Sequence, residues 1–165
     1  MNLKFTQLTA DNTALCSLFE QLMRPYSDEL DADTEPLPAG FLSKWVNSII
    51  AMQGPVDRHL ELCYDEETLI GFLYGKIDHE DHRGFIKPGY GYIMEFFVLP
   101  EHRRKGYGRH MFLRLEQLFA KNGAKRMYLT TGTPSGKAFW EAMGFVNTGT
   151  QSPENQLDIY EKALS

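Results

Sequence analysis

The stretch IMEFFVLPEHRRKGYGRH, residues 93–110, decides the fold of this chain. Residues 93–98 favour β-structure apart from Glu95, and Pro100 stops the run, so we expect a strand buried on both faces. The residues that follow, here called the basic turn, are Arg103, Arg104, Lys105, Gly106, Tyr107 and Gly108. Apolar side chains then recur at helical spacing, at Met111, Leu115, Leu118 and Phe119. The predicted order is therefore strand, basic turn, helix.

The junction between the basic turn and the helix has the chemistry of an anion site. The first N–H groups of a helix lack internal partners and carry partial positive charge, so they can bind an anion. Glycine lets a phosphate approach the backbone closely, and the three cations of the turn add attraction. We expect a pyrophosphate here, and the alternative is an ordinary turn with a solvated basic face.

Two strings in this chain resemble the motifs of a known family. VLPEHRRKGYG resembles motif A of the GNAT superfamily of N-acetyltransferases, Gln/Arg-x-x-Gly-x-Gly/Ala after a strand, with Arg103, Gly106 and Gly108 in the defining positions. FWEAMGF, residues 139–145, resembles motif B of the same family, Phe-Tyr-x-x-x-Gly-Phe. The resemblance implies a GNAT-like α/β fold, with a mixed, largely antiparallel twisted sheet flanked by about four helices.

Hydrophobic periodicity and turn residues predict the remaining elements. A strand over Leu3–Leu8 leads to a helix that is capped by Asp11 or Asn12 and ended by Pro25. Further on we expect a polar loop at Ser27–Pro38 and a helix that starts after Pro38 and is broken by Gly54-Pro55. Hairpin strands at His59–Tyr64 and Thr68–Asp78 and a loop at His79–Gly91 follow. After the central helix, which Asn122-Gly123 stops, we expect a strand at Lys125–Thr131, a helix between Thr133-Pro134 and Gly144, and strands at Phe145–Thr150 and Gln156–Leu164.

Length and composition limit the classes of protein to which this chain can belong. A chain of 165 residues suits one domain, spanning residues 1–165. The two cysteines, Cys16 and Cys63, lie in apolar periodic segments and are expected to be reduced core residues of a cytoplasmic protein. A net charge of −5 argues against nucleic-acid partners, and the absence of a long apolar run argues against a membrane partner or a signal peptide. Homodimer formation stays open.

The family resemblance implies that the chain transfers an acetyl group from acetyl-CoA to an amine by direct attack. The acceptor is expected to be a small molecule, an exposed lysine or a protein N-terminus. The pantetheine arm of CoA would pair with the strand edge at Phe96, Phe97 and Val98. The other implied cofactor contacts are Arg103, Arg104, Lys105, Gly106, Tyr107, Gly108, Arg109, Thr133, Lys137 and Trp140. The family often has asparagine where this chain has Thr133.

The resemblance also implies the catalytic groups. Glu95 would be the base that takes the proton of the amine, and the alternative is that it points to solvent. A backbone N–H near Phe97 or Val98 would bind the oxyanion. Trp140 stands where the family normally has the tyrosine that protonates sulfur, and an indole cannot be that acid. Tyr160 and Tyr128 are weaker candidates for this acid, or solvent could protonate the sulfur. Two alternative functions remain, an inactive acyl-CoA sensor and a scaffold without CoA affinity.

Two polar segments are also candidates for binding. His79, Glu80, Asp81 and His82 are adjacent in a polar loop and cannot all face one ion, so we expect no metal. The acidic segment Asp28–Glu35 could attract cationic amines, because in the GNAT fold this region borders the acceptor site. The alternative is a mobile, solvated loop.

Overall fold

The computed structural model describes residues 1–30 and 37–164, and its elements follow the predicted order. The strands are β1 (Leu3–Gln7), β2 (Arg58–Asp65), β3 (Thr68–Ile77), β4 (Gly91–Val98), β5 (Arg126–Thr131), β6 (Val146–Gln151) and β7 (Asp158–Ala163). The α-helices are α1 (Thr13–Leu30), α2 (Phe41–Ala51), α3 (Tyr107–Lys121) and α4 (Pro134–Ala142), and a short 3-10 helix covers Pro100–His102.

The seven strands are hydrogen-bonded in the order β1-β2-β3-β4-β5-β7-β6. The pairs β1–β2, β5–β7 and β6–β7 are antiparallel, whereas β4 and β5 are parallel. A turn at Glu66 and Glu67 joins β2 and β3 into the predicted hairpin. This mixed, mostly antiparallel sheet with four α-helices in the described part of the chain confirms the predicted fold class. No helix within residues 1–30 and 37–164 is long and apolar enough to cross a membrane.

The chain divides into two compact units. The first comprises Met1–Leu73 and Phe96–Gly108, and the second comprises Tyr74–Glu95 and Arg109–Ser165. The core of the first unit includes Phe19 of α1, whose ring meets Phe72 of β3 edge to face at 5.1 Å. The prediction that the whole chain is one domain stays a prediction.

The core of the second unit is built on the apolar face of α3. Met111, Phe112, Leu115 and Phe119 are at most 2% exposed, which confirms three residues of the predicted stripe and adds Phe112. Leu118, the fourth predicted residue, is only half-buried. Phe119 lies so close to β4 that a Cβ on Gly91 would be 2.4 Å from its ring. A glycine at this position therefore allows the helix to approach the strand.

The predicted end of the first helix at Pro25 is wrong. Pro25 lies inside α1, which continues to Leu30, so residues 27–30 are helical and not part of a loop. Proline inside a helix costs about 3 kcal/mol, and packing of the last turns offsets this cost. Met23 is fully buried, and the ring of Tyr26 meets Phe72 at 5.5 Å. The rest of the predicted acidic segment, residues 31–36, lies outside the described residues.

The start of α1 and Cys63 follow the predictions, whereas Cys16 is not the core residue that was expected. Asn12, and not Asp11, caps α1, because its side-chain oxygen accepts a hydrogen bond from the N–H of Leu15 at 3.1 Å. Both cysteines are free, with Cys63 buried and Cys16 half-buried. Burial, followed by nearby carboxylates, raises the pKa of the Cys63 thiol to about 12, so this thiol stays protonated.

Candidate functional site

Strand β4 is paired with β5 only at its beginning. The parallel register joins Gly91 to Met127 and Tyr92 to Tyr128, and no further pair of these strands is formed in the described part of the chain. β5 therefore does not cover the carboxyl end of β4, whose edge on this side is called the open edge below. Of residues 93–98, only Ile93 and Phe97 are buried, so the expectation that both faces of this strand are buried was wrong.

Both backbone groups of Val98 point away from β3, and the carbonyl is hydrogen-bonded to the Arg103 side chain. The N–H of Leu99 donates to the carbonyl of Ile70 in β3 at 2.9 Å. In a planar trans peptide the carbonyl and the next N–H point in opposite directions, so the Val98 carbonyl points away from β3. The carbonyl of Phe97 lies against Gly71, where an added Cβ would be 1.9 Å from it. By the same rule the N–H of Val98 also points away from β3.

The sign of φ alternates along the backbone of the basic turn. Arg103 has a φ of −74°, Arg104 has 61° and Gly106 has 91°, while Lys105 has a negative φ and Tyr107 begins α3. Turns in which φ changes sign between successive residues occur among the backbone concavities that bind anions in proteins. Gly106 is exposed, and a Cβ there would meet only the Met1 side chain, at 3.9 Å. The unpaired backbone N–H groups at the start of α3 follow directly along the chain and are also suited to bind an anion.

The Arg103 side chain folds back onto the protein. Its Nε donates to the carbonyl of Val98 at 2.8 Å, and its Nη2 lies 2.8 Å from Oε1 and 2.9 Å from Oε2 of Glu29. The guanidinium also lies 5.4 Å from the ring centroid of Phe97. Arg103 therefore links the basic turn to β4 and to the last turn of α1.

The Tyr107 side chain is also bound within the protein. Its hydroxyl donates to Asp65 at 2.5 Å, and the backbone N–H of Asn2 donates to the other oxygen of this carboxylate at 3.0 Å. These two bonds hold the pKa of Asp65 below its ordinary value, with the bond from Tyr107 the larger cause. The same bond raises the pKa of Tyr107. Tyr107 therefore links the start of α3 to the end of β2.

Three cations around the turn remain turned toward solvent. Arg104, Lys105 and Arg109 are exposed, and none of them forms an ion pair with another described residue. Exposed cations beside the unpaired N–H groups of a helix start are suited to bind phosphate oxygens.

The three side chains predicted around α4 already have partners. The Thr133 oxygen accepts from the N–H of Gly136 at 3.1 Å and so caps its own helix, as predicted. Lys137 donates to Asp158 at 2.8 Å, and this bond holds the pKa of Asp158 below its ordinary value. Trp140 is 8% exposed and packs among three aromatic side chains, Phe112, Phe139 and Phe145.

Glu95 is half-buried in the middle of β4. Burial, and after it the negative charge of Glu95, raises the pKa of Tyr92 to about 12.

The two tyrosines considered as acids make hydrogen bonds of their own. The Tyr128 hydroxyl donates to the fully buried Asp78. Burial, followed by this bond, raises the pKa of Tyr128. The buried Tyr160 has its hydroxyl 3.5 Å from Glu141.

The polar loop after β3 is held by a lysine. Nζ of Lys76 lies 2.7 Å from Nδ1 of His82 and 3.3 Å from a carboxylate oxygen of Asp78. No group of three histidine, cysteine or carboxylate side chains that could hold a metal ion occurs within residues 1–30 and 37–164.

Sequence reasoning missed two residues that contact the basic turn. Asp65 was assigned to a hairpin connection and Glu29 to an acidic loop, whereas their carboxylates bind Tyr107 and Arg103. Nothing in the spacing of the sequence pairs these residues, because each bond joins segments that are distant along the chain.

Several solved structures share this fold across the whole chain. A PaiA N-acetyltransferase from Thermoplasma acidophilum, in complex with coenzyme A, has 19% identity and a TM-score of 0.72, with 99% of each chain covered. An acetyltransferase from Thermus thermophilus has 21% identity and a TM-score of 0.73, with 99% of this chain and 98% of that chain covered. The ribosomal-protein-S18-alanine N-acetyltransferase from Escherichia coli has 15% identity and a TM-score of 0.62, with 99% and 94% covered.

Sequence comparison identifies the family. No curated protein matches the chain. A family model described as Acetyltransferase (GNAT) family matches residues 15–145, which is most of the chain and includes both motifs. The chain therefore belongs to the GNAT family of acetyltransferases.

Proposed function

We propose that this protein transfers an acetyl group from acetyl-CoA to a primary amine by direct attack. The observation that carries the proposal is the basic turn, where φ alternates in sign from Arg103 to the start of α3 beside three exposed cations. Bound coenzyme A in the T. acidophilum structure supports the choice of acyl donor. The names of that protein and of the E. coli protein support transfer to nitrogen.

The basic turn and the start of α3 fit the pyrophosphate of an acyl-CoA thioester. Backbone N–H groups from Arg104 to Arg109 would bind the pyrophosphate, with Arg104, Lys105 and Arg109 neutralising its charge. The open edge of β4 suits the amide groups of a pantetheine arm. When bound, acetyl-CoA supplies an acetyl group that is activated for attack by an amine.

The reacting groups we propose lie on β4. Glu95 takes the proton of the acceptor ammonium, directly or through water, so that the neutral amine can attack. The N–H of Val98 binds the oxyanion, because it points to the open edge while the Phe97 carbonyl faces Gly71.

We propose that no protein acid has to protonate the departing sulfur. A thiol has a pKa of roughly 8.5, so its thiolate is a tolerable leaving group near neutral pH. Trp140 is buried among phenylalanine rings and cannot act as an acid. The Tyr128 hydroxyl already donates to Asp78. The predicted role of Tyr160 as catalytic acid stays a prediction, with Glu141 as the neighbour of its hydroxyl.

The alternative function is an acyl-CoA sensor that binds the thioester without turnover. One observation favours it, which is Trp140 at the position where motif B normally has tyrosine. Cytoplasmic location and the acceptor classes given above remain predictions under either function.

The first experiment is a calorimetric titration of the protein with CoA and acetyl-CoA. A panel of polyamines, amino acids, aminoglycosides and lysine peptides is then added while free thiol is followed. Thiol release with one class of amine is the expected result and names the acceptor class. Binding without release on any amine would favour the sensor, and a protein without CoA affinity would contradict both functions.

Substitution of the proposed base separates the enzyme from the sensor. Glu95→Gln should lower kcat by roughly 100-fold to 10,000-fold, the usual contribution of a general base, with CoA affinity unchanged. Glu101→Gln, on the exposed 3-10 helix, is the matched control and should behave like the wild type. A kcat that survives Glu95→Gln would show that another group takes the proton.

A further inference from the structure

The basic turn has little support of its own. Arg103, Arg104, Lys105 and Gly106 are all exposed, so no burial holds them in place. Arg104 adopts a φ of 61°, which side chains other than glycine occupy only when the surrounding structure imposes it. The conformation of the turn must therefore be held at its two ends.

Arg103 fixes the first end. One guanidinium bridges the Val98 carbonyl and the Glu29 carboxylate, at 2.8 Å to each. Both contacts point back into the protein, and the Phe97 ring lies against the same guanidinium. Arg103 thus uses its donors to fasten the turn to β4 and α1.

Tyr107 fixes the second end. Its hydroxyl bond to Asp65 anchors the first residue of α3, and Asp65 is itself held by the N–H of Asn2. The chain around Asp65 is further tied because the N–H of Glu66 donates to the carbonyl of Asn2 at 3.0 Å. The hydroxyl therefore reaches a carboxylate that is already fixed in position.

We propose that Asp65 and Glu29 are positioning residues for CoA, acting through Tyr107 and Arg103 on the backbone of the basic turn. This inference rests on the proposed function and changes its residue assignment. The side chains of Arg103 and Tyr107 hold the turn in shape. The phosphate contacts are left to the backbone N–H groups and to Arg104, Lys105 and Arg109.

A comparison of two acyl donors tests this inference. S-acetylpantetheine has the reacting end of acetyl-CoA but lacks the pyrophosphate, so a residue that positions the turn should matter only for the longer donor. Tyr107→Phe and Asp65→Asn should each raise the Kd for CoA about tenfold, the effect of one hydrogen bond to a charged group. The value of kcat/KM for S-acetylpantetheine should stay within about twofold of the wild type.

The double variant Tyr107→Phe with Asp65→Asn should bind CoA as the single variants do, since both remove the same bond. Glu29→Gln should weaken CoA binding in the same selective way. Tyr64→Phe and Glu67→Gln are the matched controls, because they remove a hydroxyl and a carboxylate from the same hairpin. Within the described part of the chain, the side-chain bonds to the basic turn come from Asp65 and Glu29 instead.

Equal losses with both donors would overturn the inference, because they would show a general effect on folding. Unchanged CoA affinity in all three variants would overturn it as well. A wild-type protein without CoA affinity would overturn the proposed function, and this inference with it. If the wild type bound CoA and the variants bound it equally well, this inference would be overturned and the proposed function would stand.

Discussion

Motif resemblance assigns cofactor contacts to two regions, the basic turn and the start of α4, and their side chains are used differently. In the basic turn, Arg104 and Lys105 stay exposed, and the backbone φ changes sign from Arg103 to Gly106. In α4, the Thr133 oxygen caps the helix, Lys137 pairs with Asp158, and Trp140 is buried among aromatic rings.

The difference comes from the chemical groups with which each region would bind the cofactor, backbone N–H groups in the basic turn and side chains in α4. Backbone N–H groups are directed by φ angles, and glycine at position 106 makes the required angle accessible. Side chains such as Lys137 are available only if no other protein group pairs with them first. We therefore expect residue assignments from a motif to be more reliable where the motif binds through backbone groups than where it binds through side chains.

The largest expected effect concerns Trp140. If its role is packing, Trp140→Ala should lower the free energy of unfolding by about 3–5 kcal/mol, the usual cost of removing a large buried aromatic side chain. Urea denaturation followed by circular dichroism measures this. CoA affinity below the unfolding transition should change little.

Trp140→Phe separates packing from hydrogen bonding, because it keeps an aromatic ring but removes the indole N–H. We expect Trp140→Phe to recover most of the stability that Trp140→Ala loses. A variant with wild-type stability and strongly reduced CoA affinity would place Trp140 at the cofactor and weaken the contrast between the two regions.

The next effect concerns the exposed cations of the basic turn. Arg104→Ala should raise the Kd for CoA about tenfold without changing the melting temperature, because it removes a charge-assisted bond to phosphate and no contact within the protein. The loss should shrink as salt is added, since exposed charges are screened. Calorimetry at two salt concentrations measures both quantities.

Lys121→Ala, at the exposed end of α3, is the matched control for this charge. If both variants lost affinity equally, the effect would come from net charge and not from the position of Arg104.

Local signals predicted most of the fold. Gly123 and Gly144 end α3 and α4 with φ angles of 89° and 100°, as expected of glycine after a helix. Pro25 is the exception, because the packing of Met23 and Tyr26 outweighs a local signal that would otherwise stop α1. Sequence alone does not weigh a proline against contacts formed by distant strands.

The assignments within the site show the same limit. The position and composition of the basic turn were predictable, because strand, glycine and helix follow one another along the chain. The roles of Arg103 and Tyr107 were not, since their partners Glu29 and Asp65 are 74 and 42 residues away. The Val98 N–H could be distinguished from its neighbours only once the orientations of the adjoining peptides were known.

The smallest expected effect is on CoA binding in Lys137→Met. Because Lys137 already pairs with Asp158, we expect its loss to change the Kd for CoA by less than about twofold, while Arg104→Ala changes it about tenfold. Lys125→Met, at an exposed lysine, is the control. A Kd that rises as much as in Arg104→Ala would show that Lys137 leaves Asp158 for the cofactor, and α4 would then bind through a side chain after all.

The pH dependence of stability gives an independent check on the same pair. The pKa of Asp158 is lowered, chiefly by its bond to Lys137, so its contribution is present above the ordinary aspartate pKa of about 4 and is lost as pH falls through the lower folded value. The pKa of Lys137 is raised, chiefly by the same bond, so its contribution is present below about 10.4 and is lost as pH rises through the higher folded value. The difference in melting temperature between wild type and Lys137→Met should therefore be greatest between these limits and vanish at either extreme. A difference that persisted in acid would come from the packing of the lysine stem and not from the ion pair.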